Sequence, residues 1–156
     1  MRQQEGKMTV NIPYTTRVCV LAILPDGRAL FLNDRGKHDI PSYDHESDME
    51  DTFLSERMTA QRGLYEETGL FISNLSQFKD IYSEFGESRK GVLYSWVAFI
   101  VYLDAQSVTW CRQVKEREVT FLHPKEVWLD LIDRGYSPLR SLLDHYLNYN
   151  KLLILK

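Results

Sequence analysis

The chain has 156 residues, 44% of them apolar and 26% charged, with a net charge of −3 when its four histidines are neutral. That length implies one domain able to bury a core without metals or disulfides as staples. There is no basic excess of the kind that marks a nucleic-acid binder. The two cysteines, Cys19 and Cys111, form no CxxC or Cys/His cluster. They read as free thiols in a reducing compartment.

Residues 1–10, "MRQQEGKMTV", carry no apolar leader and read as a flexible polar tail, leaving 11–156 as a single domain. A cytoplasmic location is the expectation. "RVCVLAIL" (17–24) is a β-branched, apolar strand, "PDGR" (25–28) is a turn, and "ALFLND" is the returning strand. Residues 35–51 have neither helical nor strand period and read as a long loop, acidic in its second half. A loop of that length in a small domain is usually functional or disordered.

A helix is expected from about Thr52 to Glu67, capped by Asp51 or Thr52 and ended by Gly69. Phe53, Met58, Ala60 and Leu64 supply an irregular apolar side. Strand signals return over 71–84, and 85–91 reads as a turn or loop. "VLYSWVAFIVYLD" (92–104) is the clearest strand, apolar on both faces and so central. It is too short to span a bilayer. A strand at 118–123 precedes helices at 124–135 and 137–149, each opening on a proline. The order predicts an α+β domain with a mixed sheet and helices packed on it.

The stretch "RGLYEETGL" (62–70) holds the chemistry. On a helix, positions 63, 66 and 67 share a patch, and Arg62 lies one turn before Glu66. Two converging carboxylates repel unless a cation or an arginine neutralises them. Two anions near a helix C-terminus are also unfavourable without an offset. Mg²⁺ suits such a pair, because it takes one or two carboxylates plus phosphates and waters. A solvated helix face is the plainer alternative.

In these residues the sequence resembles the Nudix box, G-x5-E-x7-R-E-U-x-E-E-x-G-U, where U is aliphatic. Arg62, Leu64, Glu66, Glu67, Gly69 and Leu70 fall in register with its second half. "HDIPSY" (38–43) stands where many members have an aliphatic-Pro-Gly-Gly stretch, and "EVTFLHPKEVW" (118–128) resembles a later strand and helix. The resemblance covers roughly residues 15–135. It implies a Nudix-like α/β/α sandwich and hydrolysis, dependent on Mg²⁺ or Mn²⁺, of a nucleoside diphosphate linked to another moiety. Glu66 and Glu67 would be catalytic metal ligands and Arg62 would orient them by an ion pair. A further glutamate would serve as general base or extra ligand, with Glu116 and Glu118 as candidates and Glu84 and Glu87 as weaker ones. The partner implied is a small nucleotide-type substrate, with neither membrane nor nucleic acid. Relatives often form dimers, so a homodimer is a further expectation.

The departures are specific. Gly63 stands where the box has a metal-binding glutamate, and the box's first glycine and glutamate fall on Asp48 and Leu54. Ser42 and Tyr43 replace the Gly-Gly after Pro41. Glu56 lies seven residues before Gly63, about 10 Å along a helix, too far to replace the missing ligand at the same ion. Two readings of Gly63 follow: close approach by a loop or substrate, or loss of catalysis in a nucleotide- or protein-binding module. Under simple ligand loss, Gly63→Glu should raise metal affinity and activity.

Overall fold

A computed structural model describes residues 14–45, 52–87, 90–91, 93–111, 118–134 and 137–155. The expected polar tail, the end of the acidic loop, the N-cap side chains at Asp51 and Thr52, and Glu116 lie outside the described residues or side chains.

The strands are β1 (Tyr14–Ile23), β2 (Ala29–Asp34), β3 (Lys37–Asp39), β4 (Ser42–Asp44), β5 (Lys79–Glu87), β6 (Leu93–Tyr102) and β7 (Glu118–Leu122). The helices are α1 (Thr52–Thr68), α2 (Ser107–Trp110), α3 (Pro124–Leu131) and α4 (Pro138–Leu155). The sheet order is β3-β2-β1-β6-β5, with β4 paired to β1 and β7 to β2. β1 and β6 run parallel in register from Tyr14↔Leu93 to Ile23↔Tyr102. The other pairings are antiparallel, so the sheet is mixed.

The first hairpin forms where the turn residues dictate. Gly27 takes φ 92°, Leu24 N–H donates to the Arg28 carbonyl at 2.8 Å, and Asp26 accepts from Arg28 N–H at 3.0 Å. Side chains alternate along each strand, and the two faces bury separate clusters. Val18, Val20, Ala22, Leu30, Leu32, Phe99 and Val101 meet Ala60 and Leu64 of α1. Cys19, Leu21, Ile23, Phe31, Trp96, Ala98 and Ile100 meet Val127 of α3 and Leu139, Leu142, Leu143 and Tyr146 of α4. The result is the expected α/β/α sandwich, with β6 lying between β1 and β5, one strand from the edge, and contributing to both cores.

Several expectations are corrected. The stretch read as loop from 35 to 51 contains β3 and β4, three residues each and too short to show a period. The strand expected from 71 begins only at Lys79, after a 3₁₀ turn at Leu75–Gln77 capped by Asn74, whose side chain accepts from Ser76 N–H at 3.0 Å. β5 then runs on through part of the expected 85–91 loop, to Glu87. Helix α3 stops at Leu131 and closes through a 3₁₀ turn at Ile132–Arg134.

Among the described side chains of α1 the apolar side is Ala60 and Leu64, both fully buried, while Met58 is exposed and Phe53 lies outside the described side chains. The rest of the buried face is polar: Ser55, Arg57, Thr59 and Thr68. This is why the apolar stripe is irregular. Each polar group is satisfied where it lies. Thr59 donates to the Ser55 carbonyl at 3.0 Å, Thr68 to the Leu64 carbonyl at 2.7 Å, and Ser55 Oγ meets His45 Nε2 at 3.0 Å. Truncating Leu64 to alanine in such a site would cost about 2–5 kcal/mol. The helix ends at Gly69, at φ 83°, whose N–H reaches the Tyr65 carbonyl at 2.9 Å. Leu70 then turns back into the same core as Leu64.

Candidate functional site

Glu66 and Glu67 occupy the last turn of α1, Glu66 exposed and Glu67 half-buried. Their backbone is held by the Leu64–Leu70 anchor on one side and the Gly69 turn on the other. Arg62 is exposed one turn earlier, and no ion pair joins it to Glu66 among the described residues. The orienting contact expected of Arg62 is therefore not made directly.

Gly63 faces inward, one turn before the two glutamates. A Cβ at this position would lie less than 3.0 Å from Cγ, Cδ1 and Cδ2 of Tyr43, nearer than side-chain carbons approach one another. Tyr43 sits in β4 opposite Val18 of β1, on the sheet face that carries α1. Its ring is wedged between sheet and helix. The close approach needs glycine at 63.

Among the described residues, the other sequence candidates do not join the pair. Glu118 is exposed at the first residue of β7, opposite Asn33. Glu84 lies opposite Trp96, on the face of α3 and α4, and accepts hydrogen bonds from the Tyr82 hydroxyl at 2.9 Å and the Tyr94 hydroxyl at 3.0 Å. Glu87 is exposed at the end of β5. Among the described residues no group of three or more His, Cys, Asp or Glu side chains is arranged to hold a metal ion. Carboxylates are the oxygen donors a hard cation takes, so a cation at Glu66 and Glu67 would need the rest of its shell from elsewhere.

Two features escaped sequence reasoning. The first is Arg57, 5% exposed, whose Nε donates to the Phe78 carbonyl at 2.9 Å and whose Nη2 reaches Asp80 Oδ2 at 3.2 Å. Its guanidinium lies 4.6 Å from the Phe99 ring centroid. It ties α1 to the segment entering β5. Beside it, burial pushes the Glu56 carboxyl above its ordinary range, against a lowering influence from His45.

The second is a cleft of about 370 Å³ on the opposite face of the sheet, lined by Arg17, His38, Asp39, Ser42 and Trp96 with the α3–α4 junction. The Arg17 guanidinium is aimed by Asp44 Oδ1 at 2.8 Å, Ser42 Oγ at 2.8 Å and the Ser42 carbonyl at 3.2 Å. His38 Nδ1 is buried with no hydrogen-bond partner among the described residues. Because β4 alternates, Ser42 faces this cleft while Tyr43 faces α1. The strand that stops the Gly63 position thus also builds the cleft.

The same sandwich recurs in solved structures. The MutT protein of Methanosarcina mazei Go1 matches with a TM-score of 0.65 at 19% identity, over 90% of this chain and 98% of that one. This is the Nudix fold. The Ap4A hydrolase of C. elegans, solved as a binary complex, shares it at TM-score 0.61 and 14% identity, over 88% and 98% of the two chains. The Nudix domain of Shewanella oneidensis NrtR, solved with ADP ribose, does so at TM-score 0.55 and 17% identity, over 83% and 94%. No protein-family model and no curated protein sequence matches the chain. α1 is the helix expected over about 52–67, and it carries Glu66 and Glu67 in its last turn before ending at Thr68. No helix among the described residues is long and apolar enough to cross a membrane.

Proposed function

We propose that the protein is a hydrolase that cleaves the phosphoanhydride of a nucleoside diphosphate linked to another moiety, with Mg²⁺ or Mn²⁺ held at Glu66 and Glu67. The observation that supports this most is the pair of adjacent glutamates on the last turn of α1, in Nudix-box register, on a Nudix fold. A bound cation would supply charge neutralisation at the phosphates and a more acidic water. Two protein carboxylates are enough for Mg²⁺ when substrate phosphates complete the shell.

In the cleft on the other face of the sheet, Arg17, held by Ser42 and Asp44, would offer a cation to an anionic group of a bound nucleotide. Trp96 supplies an apolar wall to the cleft, and His38 and Ser42 offer hydrogen bonds to a sugar or base. The neighbours solved with ADP ribose or named for Ap4A make these two compounds the first to try.

A second reading is a nucleotide-binding module that no longer hydrolyses. The Tyr43 ring at Gly63 favours it, since it leaves two acids where the box has more. One experiment separates the two. Nucleoside triphosphates, dinucleotides including Ap4A, and nucleotide sugars including ADP-ribose are incubated with Mg²⁺ or Mn²⁺, and products are resolved by chromatography. Metal-dependent cleavage supports the hydrolase. Tight binding without cleavage, from folded protein, supports the module and rejects the hydrolase.

A further inference from the structure

The two departures from the Nudix pattern, Ser42-Tyr43 in place of Gly-Gly and Gly63 in place of a glutamate, lie twenty residues apart, but the fold brings them into contact. The position of a Cβ on residue 63 falls under 3.0 Å from three ring atoms of Tyr43. The contact is at the root of the ring and not at its far end, so a rotation of the hydroxyl end cannot relieve it. The ring is also fixed from behind: Tyr43 pairs with Val18 in the β4–β1 ladder and packs on the cluster of Val18, Ala60 and Leu64. Position 63 is buried, whereas Glu66 beside it is exposed.

We propose that Tyr43 and Gly63 are a matched exchange, in which the tyrosine ring fills the space a third carboxylate would need, leaving Glu66 and Glu67 as a two-carboxylate centre closed on that side. The idea rests on the reading of Glu66 and Glu67 as the metal site. A ring face offers no oxygen to a hard cation. The centre therefore takes up its cation together with a phosphate ligand, and the bare protein holds it weakly. The simple repair, Gly63→Glu alone, fails because the side chain has nowhere to go.

The test is a four-variant cycle: wild type, Tyr43→Ala, Gly63→Glu and the double variant. Melting temperatures test the exchange without any metal. Gly63→Glu alone should lose on the order of 5 °C or more, as overpacking of a fixed core does in a chain of this size. The double variant should melt above Gly63→Glu, so that the two changes are not additive. Mn²⁺ binding is then read from the free-ion electron paramagnetic resonance signal. The double variant should bind Mn²⁺ alone about tenfold more tightly than wild type, through its added carboxylate. Wild type should approach that affinity only when ADP is present, beyond the loss of free-ion signal that ADP causes without protein.

Gly63→Glu melting with wild type would overturn the proposal, as would a double variant less stable than Gly63→Glu. So would a folded double variant with no gain in Mn²⁺ affinity, or a wild type that binds Mn²⁺ equally well without ADP. Turnover by the wild type is scored separately. The hydrolase reading can thus fail while the Mn²⁺ gain stands, and the reverse.

Discussion

Removing the Arg57 side chain tests how α1 is held, and hence how its glutamates are positioned. In Arg57→Ala the buried Phe78 carbonyl loses its 2.9 Å donor. An acceptor left so costs about 1–3 kcal/mol. The stack on Phe99 also goes, a loss of about 0.5–2 kcal/mol. The Asp80 partner is 75% exposed and stays hydrated, so that ion pair contributes at most about 1 kcal/mol. Relief from burying a guanidinium offsets part of the sum. The net expectation is a loss of about 2–3 kcal/mol, or on the order of 5–10 °C in melting temperature for a chain of this size. Arg57→Met keeps the apolar stem and removes the buried charge, so it should lose about half as much. Asp80→Asn should lose little. Thermal and urea denaturation followed by circular dichroism measure all three. An Arg57→Ala protein within about 0.5 kcal/mol of wild type would refute the assigned role, because surface substitutions commonly fall in that range.

Other expectations follow from the same geometry. Burial raises the Glu56 pKa, so its ionised form costs stability; that penalty is present at neutral pH and disappears as pH falls below the unfolded value near 4.5. Glu56→Gln should therefore raise the melting temperature at pH 7 and leave it unchanged near pH 4; a gain of equal size at both would point to packing instead. Arg17→Ala removes the cleft's fixed cation and should weaken ADP-ribose binding by about tenfold or more in calorimetry, since a charged hydrogen bond contributes about 1.5–3 kcal/mol. Unchanged affinity would move the phosphate elsewhere. Burial raises the Cys19 thiol well above its usual value and the Cys111 thiol to about 11. At pH 7.5 both should resist a disulfide reagent until the protein is unfolded, and fast native labelling would contradict that.

Much of the fold was legible because its signals are local. The PDGR turn, the apolar run at 92–104 and the Gly69 stop each lie within a few residues of the structure they specify. The helix carrying Glu66 and Glu67 was readable in the same way. What stayed hidden depends on residues far apart. β3 and β4 have three residues each and exist by pairing with β2 and β1. The polar groups on the buried face of α1 broke its periodicity, and Arg57 found its partners some twenty residues away. The cleft draws on β1, β3, β4, β6 and the start of α4, so no short stretch announces it. Gly63 left two readings open, a close approach and a lost ligand, and the Tyr43 ring that makes the close approach comes from twenty residues away.

The central claim is that Glu66 and Glu67 serve a metal-dependent cleavage. Its most direct measurement is the turnover of ADP-ribose and Ap4A by wild type and by Glu67→Gln, at equal Mg²⁺ and with both proteins shown to be folded. Wild type should cleave them until the metal is chelated, and Glu67→Gln should not cleave them. Cleavage that persists in Glu67→Gln at the wild-type rate would contradict the claim.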